Sequence, residues 1–265
     1  MKAYTIQNVL VPIDFSNVAL NALETAIALC TRHLATLTLI HVVENTYVLF
    51  PPEAGGASGS LLPELMANAN ENLNELTKKL RLNHDIVVKH VVQTGNPADE
   101  ICRWALHKGT DLIIMGTHGA SGLREFFLGS NAYRVVKNSP CPVMTIPGTN
   151  QWHEFKKILF PVRMVPHALE KYDVIRPIIR KNGSSLQIAG FVKKDDPAGF
   201  VEMKALVDSA RKCGNSKPIL TNFLMSSGRR KLLGTFFEKK LPIFSFPEQA
   251  IDALTLFSFQ NVPKK

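Results

Sequence analysis

Little in this 265-residue chain points to a membrane, a metal frame or an oxidised scaffold. No apolar run approaches the roughly 20 residues that a helix needs to cross a bilayer. The opening MKAYTIQNVLVPIDF has only a short apolar segment and no cleavage-site pattern, so a cytoplasmic protein without a secretory leader is expected. The four cysteines, Cys30, Cys102, Cys141 and Cys213, form no CxxC pair. That argues against a disulfide frame or a zinc ribbon and for reduced, mostly buried thiols. The eight histidines show no metal-ligand spacing, and none follows His167. The phosphate loop GxxxxGK[ST] is also missing.

Hydrophobic content of 45% and charge of 20% are ordinary for a globular protein, and the length allows one large or two modest domains. Charge is unevenly spread. Residues 1–150 hold 11 Lys and Arg against 12 Asp and Glu, whereas residues 151–265 hold 20 against 10. The basic residues of the second part are dispersed, apart from short runs such as Arg229-Arg230-Lys231. With no zinc-finger spacing and no RNA-recognition aromatics, a solvated basic face is a better account than a nucleic-acid site.

The first 150 residues alternate between two periodicities. NVLVPI (8–13), LTLIHVV (37–43), a run at 86–92, LIIM (112–115) and VMTI (143–146) have the length and apolar character of strands buried on both faces. Between them lie helical patterns. The first follows Ser16 to about His33, the second covers 61–82, and the third starts at Asn96-Pro97-Ala98-Asp99 and closes at Gly109. The stretch 44–60, with Pro51-Pro52 and Gly55-Gly56, reads as a mobile connection of the kind that can cover a site. Such an order predicts an α/β fold with a doubly wound, parallel five-stranded sheet. Ligands of such sheets sit at the carboxyl ends of strands, where the winding reverses.

The stretch 111–130, DLIIMGTHGASGLREFFLGS, carries the chemistry. A buried strand ends at Gly116, and a loop containing Gly119 and Gly122 leads to Gly129-Ser130, where NAYRVVKN opens a helix with Ser130 near its N-cap. Glycines expose backbone N–H groups, and a helix start adds orphan donors and a positive dipole end, which suits phosphate. The spacing Gly116-x2-Gly119-x9-Gly129-Ser130 resembles the nucleotide-binding signature of the ATP-binding branch of the universal stress protein family. That resemblance implies a Rossmann-like fold of the adenine nucleotide alpha hydrolase type and a winding reversal between the first and fourth strands. It further implies ATP as ligand, with AMP or ADP as alternatives, and Mg²⁺ arriving with the triphosphate. Asp14 would accept from the ribose or from adenine-side donors. Pro12, Ile13, Val42 and Met115 would pack around adenine, with Gly116, His118, Gly119, Gly129, Ser130 and Asn131 on the phosphate side. Asp14 could instead cap the following helix together with Ser16 and bind nothing.

From residue 151 the pattern restarts. FKKILFPV (155–162) echoes IQNVLVPI (6–13), a helical stretch (169–180) and a strand (185–192) follow, and Arg163 stands where Asp14 stood. No second G-x2-G-x9-G-[ST] follows, so 151–265 reads as a degenerate second copy that does not bind ATP in the same way. Residues 217–257 resemble the last unit of the CoA-ligase domain of acyl-CoA synthetases. With no histidine there, that likeness is read as structural.

The family resemblance implies a homodimer or an intrachain pairing of the two domains through the edge at 143–146, because an apolar edge strand is normally covered. An adenine nucleotide is the expected small-molecule partner, and no membrane partner is expected. A nucleotide-dependent sensor or regulator of the stress response is favoured over an enzyme. Two alternatives remain open at the sequence level: a slow ATPase using the same site, and an interaction protein with a vestigial pocket.

Overall fold

The computed structural model describes residues 4–44, 47–49, 58–117, 129–147, 155–163 and 170–191, with short pieces at 198, 201–202, 204–205, 220–221, 243–245 and 258–260. His118, Gly119, Gly122, Arg124 and Cys213 lie outside the described residues, as does most of 217–257.

In chain order the first part contains β1 (Asn8–Pro12), α1 (Asn17–His33), β2 (Thr36–Val43), β3 (Tyr47–Leu49), β4 (Ser58–Ser60), α2 (Leu62–Asn83) and β5 (Val88–Thr94). It continues with α3 (Pro97–His107), β6 (Leu112–Gly116), α4 (Ser130–Asn138) and β7 (Val143–Ile146). β1 pairs in parallel with β2 on one side and with β6 on the other, and the five parallel strands run in the order β7-β6-β1-β2-β5. The winding therefore reverses between the first and fourth parallel strands, as expected. The third of them begins two residues later than the sequence pattern placed it. Residues 44–60 are not wholly irregular: β3 and β4 form an antiparallel hairpin, Tyr47 opposite Ser60.

The apolar runs feed two cores because strand side chains alternate. Val9, Val11, Leu37, Leu39, Leu112 and Ile114 pack on the side of α1 and α2. Leu10, Ile40, Ile113 and Met115 pack on the side of α3 and α4. The helix starts follow local chemistry. The Ser16 hydroxyl accepts from the Ala19 N–H, and Asn96 Oδ1 accepts from the Ala98 and Asp99 amides ahead of Pro97. At the other end of the sheet, the Asp111 carboxylate accepts from the Gln7 and Asn8 amides at 2.8 Å, fixing the entry of β1 beside β6.

The second part opens with β8 (Lys157–Arg163), α5 (Glu170–Asn182) and β9 (Ser185–Phe191). It repeats the first βαβ unit in detail. β8 and β9 are parallel, and partners lie 28 residues apart, as they do between β1 and β2. A displacement of 149 residues maps Ile6, Val9, Leu23, Leu29 and Leu37 onto Phe155, Ile158, Tyr172, Ile178 and Leu186, all of them buried. The same displacement maps the Thr36 N–H bond to the Gln7 carbonyl onto the Ser185 N–H bond to the Lys156 carbonyl. Left-handed Leu34 at the end of α1 corresponds to left-handed Gly183 at the end of α5. Both units contribute to one continuous core.

Three short strands complete the described residues: β10 (Leu220–Thr221) beside β9, β11 (Ile243–Ser245), and β12 (Ser258–Gln260) antiparallel to β8. β11 is the sixth strand of the first sheet and runs antiparallel to β7, with Phe244 opposite Met144. PVMTIP (142–147) and PIFSFP (242–247) are counterparts in sequence. The register Val143↔Ser245, Met144↔Phe244, Thr145↔Ile243 therefore gives this pair a local two-fold about Met144 and Phe244.

Candidate functional site

A cavity of about 260 Å³ lies at the carboxyl ends of β1, β2 and β6, where the winding reverses. Its floor and sides carry Pro12, Ile13 and Asp14 from β1 and the turn after it, and Ile40, His41, Val42 and Glu44 from β2 and its exit. Met115, Gly116 and Thr117 come from β6, Gly129, Asn131 and Ala132 from the start of α4, and Pro97 and Ile101 from α3. Eight sequence-predicted residues thus share one space: Pro12, Ile13, Asp14, Val42, Met115, Gly116, Gly129 and Asn131. Ser130, also predicted, is exposed at the first turn of α4 and is not part of the lining.

Asp14 is exposed at the cavity mouth, and its Oδ1 accepts from the Ser16 amide at 3.0 Å and from the Ser16 hydroxyl at 2.6 Å. The capping partnership with Ser16 and the place on the cavity wall therefore coexist. One carboxylate oxygen braces the start of α1, and the other has no partner among the described residues.

Gly116 has a packing role beside its place in the lining. A β-carbon there would meet Val18 Cγ1 at 2.6 Å and the Val18 carbonyl group at 3.2 Å. The close approach of α1 to the end of β6 demands glycine, whatever the cavity holds.

Helix α4 begins with Ser130 next to its N-cap, as expected; the cap itself is Gly129, and no side chain among the described residues caps the helix. The Gly129 amide, by contrast, is not available to a phosphate: it donates to the Thr117 carbonyl at 2.7 Å, while the Thr117 amide donates to Ile146 at 3.0 Å. That bond draws together the two ends of the glycine loop. The first-turn amides of Ser130, Asn131 and Ala132 follow at the positive end of the α4 dipole, uncapped by any described side chain.

His41, Glu44, Thr117, Pro97 and Ile101 were missed by sequence reasoning. His41 could have been noticed as the one titratable side chain inside LTLIHVV, whereas Pro97 and Ile101 reach the cavity only through packing. The described thiols, Cys30, Cys102 and Cys141, are not part of the lining. Cys30 and Cys141 are buried and Cys102 half-buried, and burial pushes them up to about 12, 11 and 11 respectively. Among the described residues no cluster of three or more His, Cys, Asp or Glu side chains could hold a metal. No helix of the described residues is long and apolar enough to cross a membrane.

Comparison with known proteins covers the same region. The family model described as the universal stress protein family matches residues 5–147. A universal stress protein of Methanocaldococcus jannaschii is 34% identical over 141 residues, which is 53% of this chain and 81% of the relative. One from Bacillus subtilis, YxiE, is 30% identical over 145 residues, 52% of this chain and 96% of the relative. The crystal structure of a universal stress protein from Archaeoglobus fulgidus overlays with a TM-score of 0.67 at 19% identity, covering 88% of this chain and 82% of that one. That last likeness is one of fold, and it extends past residue 147. With the family model spanning more than half its length, the chain belongs to the universal stress protein family.

Proposed function

We propose that residues 1–150 bind ATP and that the chain acts as a nucleotide-dependent sensor or regulator in the stress response. One observation carries this reading: an apolar slot, a free carboxylate oxygen and an uncapped helix start open into one cavity. Pro12, Ile13, Ile40, Val42 and Met115 offer the slot for a purine. Asp14 suits a ribose hydroxyl, which needs an acceptor, and the start of α4 suits a polyphosphate. With the Gly129 amide engaged, the phosphate contacts fall to the amides of Ser130 and Asn131 and their side chains. Mg²⁺ would travel with the triphosphate and supply charge neutralisation there.

Binding, rather than turnover, is the main output in this reading. The sequence carries no Walker lysine, and Asp14 Oδ1 is taken up by Ser16, which leaves the other carboxylate oxygen for a ribose hydroxyl. The second part serves as a degenerate copy of the first, supported by the 149-residue correspondence of the βαβ units, with Arg163 in the place of Asp14. Mass spectrometry of ligand released from freshly purified protein, with calorimetric titration of ATP, ADP and AMP, tests the proposal. An adenine nucleotide released from wild type and at least tenfold weaker ATP binding by Asp14→Ala are expected. Absence of any nucleotide binding overturns it, and Mg-ATP turnover abolished in Asp14→Ala would favour the ATPase.

A further inference from the structure

His41 lines the cavity, but the nucleotide reading gives it no task. Its Nδ1 lies 2.6 Å from the Ile13 carbonyl oxygen. A carbonyl can only accept, so Nδ1 carries the proton. The Ile13 amide in turn donates to the Ile40 carbonyl at 2.8 Å. β2 thus grips Ile13 at both its N–H and its C=O, just beyond the last β1–β2 register pair, Pro12 and Ile40. The Ile13 carbonyl belongs to the peptide that leads into Asp14.

The residue after Asp14 is held from the same place. Phe15 has φ 60°, a left-handed conformation that a side chain with a β-carbon disfavours. Its ring sits 5.4 Å from the His41 ring at an interplanar angle of 43° and packs against the α1-side core. Such a conformation persists only where its surroundings over-determine it. The Phe15 turn carries the chain round to Ser16, whose amide and hydroxyl both donate to Asp14.

We propose that His41 is a positioning residue: it fixes the Ile13 peptide and the Phe15 ring, and so aims the Asp14 carboxylate into the cavity. Its consequence for affinity rests on the nucleotide-binding reading above. Its geometric content does not.

The test uses the full chain as wild type, Asp14→Ala, His41→Leu, His41→Asn and the Asp14→Ala/His41→Leu double variant, each titrated with ATP by calorimetry. Losing one such hydrogen bond weakens binding about fivefold to tenfold, which is the fall expected for His41→Leu. The Asn side-chain amide can occupy the place of Nδ1, so His41→Asn is expected within about twofold to threefold of wild type. The double variant is expected to bind no more weakly than Asp14→Ala alone, since His41 acts through Asp14. Additive losses, or an Asn variant as weak as the Leu variant, would overturn the inference.

Amide hydrogen exchange gives a readout independent of nucleotide. The Ser16 and Ala19 amides, bonded to Asp14 and to the Ser16 hydroxyl, should exchange several-fold faster in His41→Leu and not in His41→Asn, with α3 unchanged. If wild type binds no ATP, the nucleotide reading fails while this exchange pattern still decides the role of His41. Should His41→Leu not fold, His41→Gln replaces it, because its amide reaches the place of Nε2 rather than Nδ1.

Discussion

At Gly116 the demand for a missing side chain comes from the back of the site rather than its mouth. Gly116→Ala brings a β-carbon to 2.6 Å from Val18 Cγ1, and the start of α1 must give way. Overpacking of this kind costs about 1–3 kcal/mol. Denaturant unfolding should show that loss, and Val18→Ala in the same chain should recover only part of it, because the 3.2 Å approach to the Val18 backbone remains. His33 makes a second residue-level prediction. Burial, with Lys181 and Arg32 beside it, lowers its pKa from 6.5 to about 4, and its buried Nε2 has no hydrogen-bond partner among the described residues. The folded state therefore holds His33 neutral while the unfolded chain takes up a proton first. Stability is unaffected above about pH 6.5 and declines as the pH falls toward 4. Melting temperatures of wild type and His33→Gln at pH 7.5 and 5 should show the smaller decline in the variant. The glycine spacing was legible because it is local, and Asp14 through the family resemblance that this spacing carries. The burial of His33 was not, since Lys181 reaches it from α5, far along the chain.

Among the elements, the helix boundaries were the most readable parts. Ser16, Asn96-Pro97 and Gly109 each do locally what their residue types favour, and α1, α2 and α3 begin within a residue of expectation. At the start of α4 the sequence placed Ser130 near the N-cap; Gly129 takes the cap position itself, with its amide bonded to the Thr117 carbonyl. Helix α1 ends against type. Leu34 is left-handed at φ 55° and 86% exposed, whereas the matching position at the end of α5 is Gly183 at φ 59°. Removing the β-carbon where its side chain packs on almost nothing should stabilise the chain. Leu34→Gly is expected to raise the unfolding free energy by a few tenths to about 1 kcal/mol in chemical denaturation. No gain, or a loss, would mean that the exposed leucine contributes packing that its exposure does not show.

For the whole molecule, the governing feature is that the β7 edge is paired within the chain. β11 meets it with Phe244 opposite Met144 about a local two-fold. With that edge occupied in cis, the full chain is expected to be monomeric by light scattering at micromolar concentration. Phe244→Pro disrupts the β11 ladder and leaves an apolar edge open, so concentration-dependent self-association is expected of that variant. A wild-type dimer that survives Phe244→Pro unchanged would place the association elsewhere.

By itself the sequence determined the five parallel strands of the first part, through apolar runs bounded by turn residues a few positions away, while the reversal between the first and fourth of them came only with the family resemblance. It also marked the acid and the glycines of the cavity, through the glycine spacing and the family resemblance that the spacing carries. Only the tertiary structure decided which amides remain open at α4, why Gly116 cannot bear a side chain, and that His41 holds the peptide before Asp14. Each of these depends on contacts between segments far apart in sequence, Ile13 with His41 and Gly116 with Val18, and no local pattern records such distances.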